Sequence, residues 1–234
     1  MKSHLALPKN GKVEINLSMA TISTSDLLQQ FKWRYAVKEF DPNKRISDEV
    51  IEVLEESLVL TPSSFGLQPW KFIIVGSQSL KDQMPGISWN QPQPKDCSHM
   101  VLLAIKRDFS ESDVDRFIDC LAEARQVSVQ SLESYRKFAG GFIAQAVSEG
   151  WIERWSTHQV YIAIGQLMAS AALLGVDACP MEGIQSDAYD ELLGLDSNEY
   201  HVVLGCALGY RSEGDKYASM PKARYTQARV VERL

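Results

Sequence analysis

Residues 61–75 read Thr61-Pro62-Ser63-Ser64-Phe65-Gly66-Leu67-Gln68-Pro69-Trp70-Lys71-Phe72-Ile73-Ile74-Val75. The first ten crowd two prolines, three hydroxyls, an amide and an indole into a loop. The last five are mostly apolar and rich in β-branched residues, which predicts a short buried strand. Loops that feed such strands commonly line ligand pockets. Taken alone, the segment reads equally as a rigid turn with Trp70 as core filler.

Upstream, Ser47-Asp48-Glu49 predicts a helix start: a cap followed by two acids at the positive end of the dipole. Val50, Ile51, Leu54 and Leu58 then recur at helical spacing, and the helix ends before Pro62. Ser25 and Asp26 open a shorter helix over Leu27 to Trp33. Arg34 to Asp41 reads as extended or turning, and Pro42 stops any helix.

Downstream, Met100 to Ile105 predicts a second buried strand. Residues 110–148 predict mostly helix, broken at Gly140-Gly141. Trp151 to Gly175 predicts a long helix, apolar on nearly every face after Val160. Its small residues Ala163, Gly165, Ala169, Ala171 and Ala172 permit close packing, so the helix is central or lies at a subunit interface. Strands around Asp177 to Cys179 and Val202 to Gly209 complete a sheet. The elements do not alternate as in a doubly wound sheet. The expected class is α+β, a mainly antiparallel sheet flanked by helices. One domain is expected over residues 24–234, preceded by a polar N-terminal arm over residues 1–23.

Composition narrows the function. The 234 residues are 45% hydrophobic and 23% charged, enough to bury a large core without disulfides or metals. A net charge of -6 argues against nucleic acid as a partner, because phosphate backbones need a basic footprint. It leaves room for a small anion held by a few clustered cations. Cys97, Cys120, Cys179 and Cys206 include no CxxC pair, so neither a zinc site nor a secreted disulfide framework is expected. They read as buried free thiols in a reducing compartment. The four histidines are scattered, and no HExxH, Gly-rich phosphate loop or GxSxG elbow occurs, so no metal is expected. The N-terminus lacks a signal-peptide apolar core, and the apolar stretch Val160 to Val176 is short for a membrane span. A soluble, cytoplasmic protein with no membrane partner is expected.

Three further islands accompany the Pro62–Trp70 loop. Arg34-Tyr35-Ala36-Val37-Lys38 sets two cations four residues apart, a planar fork and a point charge suited to phosphate. Pro180-Met181-Glu182-Gly183 follows a strand, and Gly183 lets backbone N–H groups approach a ligand. Pro221-Lys222-Ala223-Arg224 places two cations on one side of an extended segment. Individually these read equally as a solvated basic patch, a plain strand-to-helix turn and a charged tail.

In this order and spacing the islands resemble the nitroreductase family of FMN enzymes, from about Leu27 to Arg224. The most specific piece is Pro62-Ser63-Ser64-x-x-x-Gln68-Pro69-Trp70 running into an apolar strand. Trp89-Asn90-Gln91-Pro92-Gln93 ahead of Ser98-His99 also looks like a family segment. The resemblance implies an intertwined homodimer with an FMN at each of two interface sites. It implies that Arg34, Lys222 and Arg224 clamp the FMN phosphate, with Tyr35 and Ala36 beside them. Lys38 and Asn90 would meet the pyrimidine edge, with Gln93 nearby. The Glu182 and Gly183 amides would face N5 and O4, with Pro180 and Met181 alongside. Pro62, Ser63 and Ser64 would come from the other subunit and cover the ring. No side chain is obliged to act as acid or base, since the flavin carries the chemistry.

The implied activity is ping-pong reduction of nitroaromatics, quinones or similar small electrophiles by NADH or NADPH. Residues 110–148 would fold over the site and set acceptor choice. Two positions depart from the family pattern. Ala36 stands where many members carry Ser, and Gln93 where some carry a second Lys. Two alternatives stay open: an enzyme dedicated to one metabolite, and a flavin-binding storage or sensing protein without turnover. A Rossmann dehydrogenase is disfavoured by the missing glycine fingerprint.

Overall fold

The computed structural model describes residues 22–234. The N-terminal arm expected over residues 1–23 falls almost wholly outside them, with Ser23 already the N-cap of the first helix. The elements run α1 (Thr24–Trp33), α2 (Asp48–Val59), β1 (Trp70–Val75), and the single turns α3 (Gln78–Lys81) and α4 (Gln93–Asp96). Next come β2 (His99–Lys106), α5 (Glu111–Arg125), α6 (Glu133–Ser148) and α7 (Ile152–Leu173). The chain closes with β3 (Asp177–Met181), α8 (Ser186–Leu193), β4 (Tyr200–Gly209) and the short α9 (Gln227–Val230).

The strands form one sheet in the order β1-β2-β4-β3, and every neighbouring pair is antiparallel. This is the α+β class expected. β2 is buried on both faces, and its period-two alternation divides the core. Val101, Leu103 and Ile105 face Leu54 and Leu58 of α2 and Val160, Ala163 and Leu167 of α7. Met100, Leu102 and Ala104 face Val37, Phe40, Met84 and Tyr189. A third cluster gathers Phe109, Ile118, Ile143 and Trp155 where α5 and α6 stand against α7.

One face of α7 is central, the first of the two outcomes the sequence allowed. Val160, Ala163, Ile164, Leu167, Ala171 and Ala172 are buried against the sheet. Tyr161, Ile162 and Leu173 are exposed on the other side. No described helix is long and apolar enough to cross a membrane.

Four expectations are corrected. Gly140-Gly141 does not break a helix; both lie inside α6, where Gly140 is buried. A single helical glycine costs only about 1 kcal/mol, which packing overrides. The chain breaks instead at Gln126, left-handed at φ 56°, with its N–H bonded to carbonyls of the last turn of α5. Ser47 occupies the N-cap of α2, yet its side chain makes no cap bond; its carbonyl accepts the Val50 and Ile51 N–H groups. β3 runs on to Met181, two residues past the expected end. Of the four thiols, Cys97, Cys179 and Cys206 are buried and Cys120 is exposed on α5. Burial pushes the Cys97 thiol up to about 12.

Leu167 is fully buried between α7 and the sheet, so Leu167→Ala should cost about 2–5 kcal/mol of unfolding free energy in urea titration. A loss under about 1 kcal/mol would contradict the central place given to α7.

Candidate active site

Asp215 ties together the two ends of the described chain. Its carboxylate is buried. Oδ2 accepts the Lys38 N–H at 2.8 Å, the Glu39 N–H at 3.2 Å and the Tyr35 hydroxyl at 3.0 Å. Oδ1 accepts the Tyr217 N–H at 2.9 Å. Burial acts to raise this carboxyl, but the N–H donors of Lys38, Tyr217 and Glu39 outweigh it and hold it below the usual range. Burial first, then the bond to Asp215, pushes the Tyr35 hydroxyl well up.

Beside it, Asp177 at the start of β3 accepts the Arg211 N–H at 2.8 Å and Arg211 Nε at 3.0 Å. The Arg211 guanidinium lies 4.4 Å from the Trp33 ring centre and 4.5 Å from that of Tyr35. Ala36 makes a parallel bridge to Ala178, and the Val37 N–H donates to the Ala178 carbonyl at 3.4 Å. The Arg34–Lys38 segment is thereby laid along the edge of β3.

This brings cations together. Arg34 is the C-cap of α1. Lys222 Nζ reaches back to the end of that helix and donates to the carbonyls of Lys32 at 2.6 Å, Phe31 at 3.3 Å, and Arg34. Burial lowers the Lys222 ammonium, and so do the charges of Arg34, Arg224 and Arg211. The buried Nε of Arg34 has no hydrogen-bond partner among the described residues. An apolar pocket formed by Phe31, Gly165, Met168 and Ala169 borders Arg34. Cations held close, with the Arg34 Nε donor unspent, are suited to an anion such as phosphate.

Lys38 lies two residues past the Ala36–Ala178 bridge, and its charge partly offsets the effect of burial on the Cys179 thiol. β3 carries Pro180 and Met181, and the chain then turns through Glu182 and Gly183. Gln91 Nε2 donates to the Gly183 carbonyl at 3.4 Å, and the Gln185 N–H to the Ile87 carbonyl at 2.8 Å. A Cβ on Gly183 would stand 2.8 Å from Gln91 Nε2 and from the Trp89 ring, so this glycine is required by close approach. Trp89 and Asn90 are exposed and left-handed at φ 55° and 57°, a conformation asparagine tolerates and tryptophan rarely adopts. Gln93 is buried at the start of α4, and its Oε1 has no partner among the described residues. On the other side of the turn, the Tyr161 hydroxyl of α7 donates to Glu182 Oε1.

The Pro62–Ser64 loop lies elsewhere. The Ser64 N–H donates to Gln159 Oε1 at 2.9 Å, and Gln159 Nε2 donates to the Trp155 carbonyl at 3.1 Å. Phe65, Gly66 and Gln68 are all left-handed, at φ 55°, 67° and 49°. The Tyr135 hydroxyl holds the Phe65 carbonyl at 2.7 Å, and the Phe65 ring packs on Phe138 and Phe142 of α6. Met168, which borders Arg34, is nine residues beyond Gln159 along the helix, about 14 Å. One chain therefore gathers Arg34, Lys222 and Arg224, and separately Lys38, Asn90 and the Pro180–Gly183 turn. It leaves Pro62, Ser63 and Ser64 apart from the cations. A cleft of about 630 Å³ opens between this loop and α5, with Gln68, Trp70, Phe117 and Cys120 in its walls.

Sequence reading missed Asp215, Arg211 and Tyr161. Asp215 lies in an irregular charged tail 180 residues from Tyr35, and no spacing rule joins such a pair. Tyr161 sat within the helix read as apolar, where its hydroxyl was the one available signal.

The family model described as Nitroreductase family matches residues 31–210. A Staphylococcus aureus (strain USA300) protein, named as an inferred NAD(P)H nitroreductase, is 33% identical over 195 residues, covering 80% of this chain and 87% of that protein. The crystal structure of a nitroreductase-like protein from Streptococcus mutans superposes with a TM-score of 0.78 at 19% identity, covering 91% of this chain and 100% of that one. An inferred nitroreductase from Exiguobacterium sibiricum, crystallised in complex with FMN, gives a TM-score of 0.74 at 21% identity over 92% of this chain and 100% of that one.

Asp215→Ala would strand the Tyr35 hydroxyl and three N–H groups, and should cost at least about 2 kcal/mol in chemical denaturation, with Asp215→Asn recovering part. The folded carboxyl lies below its unfolded value of about 3.9, so its contribution is complete above that pH and fades as pH falls through the folded value. A variant as stable as the parent at neutral pH would refute this role.

Proposed function

The chain belongs to the nitroreductase family, and on that premise we propose that it is an FMN-dependent oxidoreductase that takes electrons from NADH or NADPH and reduces small electrophiles such as nitroaromatics or quinones. The observation that carries the cofactor is the gathering of Arg34, Lys222 and Arg224 around an unpartnered guanidinium nitrogen. This donor set fits the FMN phosphate. FMN, when bound, supplies the two-electron exchange between the nicotinamide and the acceptor.

The chain's own residues bind and orient it. Arg34, Lys222 and Arg224 hold the phosphate, while Tyr35 and Ala36 contribute the backbone that the Asp215 and Asp177 networks fix. Tyr35 spends its hydroxyl on Asp215, so its part is structural. With Ala at position 36, the clamp rests on the cations and lacks a hydroxyl there. Lys38 and Asn90 serve the pyrimidine edge, where negative charge collects on reduction and a donor stabilises it. Gln93, an amide at a position where some relatives carry Lys, supplies no charge there. The Glu182 and Gly183 amides orient the redox-active edge, with Pro180 and Met181 packed beside it.

Two features support a homodimer in which Pro62, Ser63 and Ser64 cover the partner's cofactor. The loop is held about 14 Å along α7 from the cations of its own chain. α1 buries no residue, and its exposed Leu28 and Phe31, together with Tyr161, Ile162 and Leu173 of α7, leave apolar surface for a second copy. Residues 110–148, gripping the loop through Phe138, Phe142 and Tyr135, are placed to shape acceptor choice.

The purified protein should be yellow and dimeric, and anaerobic NADH or NADPH should bleach it. Arg224→Ala should raise the FMN dissociation constant by about 10- to 100-fold, the worth of a charge-assisted hydrogen bond, while Cys120→Ala should leave it unchanged. A colourless monomer that refuses added FMN would overturn the reading. A yellow protein that nicotinamides cannot bleach would reduce it to a flavin carrier.

A further inference from the structure

We infer that Tyr161 is a positioning residue that latches the Glu182–Gly183 backbone onto α7 and turns the Glu182 carboxylate toward the helix. The inference rests on the flavin reading above, because it assigns those two amides their task.

The turn is fastened from two sides. On one, the Trp89–Gln91 segment closes over Gly183, and Gln91 holds the Gly183 carbonyl. Within the turn, the Ile184 N–H donates to the Glu182 carbonyl at 2.8 Å. On the other side stands α7, where the Tyr161 hydroxyl donates to Glu182 Oε1. Glu182 is exposed and pairs with no cation among the described residues, so this hydroxyl is what fixes its side chain. A hydrogen bond to a charged group is the strong kind, and this one joins a 22-residue helix to the turn that follows β3.

The hydroxyl holds its proton. The bond to Glu182, then burial, pushes it up to about 12, so near neutrality it is a standing donor and a poor acid. Tyr161 therefore acts through position. Without the latch the turn would loosen and the carboxylate would be free to approach the redox-active edge. Negative charge there disfavours the reduced, more negative cofactor more than the oxidised one.

The test compares Tyr161→Phe, Glu182→Gln and Glu182→Ala with the parent. Hydrogen exchange of the 181–185 amides is measured without flavin, and the midpoint potential with FMN bound. Tyr161→Phe and Glu182→Ala both remove the latch, so each should speed exchange by about tenfold or more, and either variant suffices should the other fail to fold. Tyr161→Phe should weaken binding of reduced relative to oxidised FMN by about tenfold, lowering the two-electron potential by about 30 mV. Glu182→Gln keeps an oxygen acceptor and removes the charge, so it should exchange like the parent and show no lowered potential. If the parent binds FMN, and exchange and potential are unmoved in Tyr161→Phe, the latch is wrong and the flavin reading stands. If the parent binds no FMN, both fall.

Discussion

One buried carboxylate sets the terms for the rest of the molecule. A charge withdrawn from water is tolerable only when donors surround it, and Asp215 finds its donors on both ends of the chain. Satisfying it pins residues 35–39 beneath the C-terminal tail. The neighbouring Asp177–Arg211 pair, with its two aromatic rings, fixes the same segment to β3. Lys222, a few residues past Asp215, then has little choice but to meet the end of α1. The acids that could have neutralised the clamp are occupied in building it, which leaves its positive charge unpaired by either of them.

The sheet and its helices were legible because burial imposes periodicity. β2 could be read from its unbroken apolar run, and the division of its residues between two cores follows from strand geometry alone. The long α7 was legible for the same reason. Helix ends were less so, since they depend on single backbone torsions. Gln126 stops α5 in a left-handed conformation that nothing in its side chain advertises, while the glycines that do advertise a stop are carried through α6. The exposure of Cys120 was equally hidden, because an amphipathic helix fixes which faces differ but not which one meets solvent.

The site was legible as islands and illegible as a network. Arg34, Lys222 and Arg224 could be proposed as partners, and the fold does gather them. The groups that hold them in place could not, because Tyr35 with Asp215 and Asp177 with Arg211 are contacts across long stretches of chain. The hold of Gln159 on the Ser64 amide is visible only in three dimensions.

The uneven placement of the thiols has a practical consequence. Cys97, Cys179 and Cys206 are shut in the core, and the first is also held protonated by burial, whereas Cys120 stands open on α5 beside Phe117 and Gln68. Thiolate-directed reagents need access as well as ionisation. The natural sequence thus offers a single address for a maleimide-linked spectroscopic reporter, on the helical excursion and next to the Pro62–Trp70 loop. Movements of that excursion can be followed without engineering a cysteine or removing one.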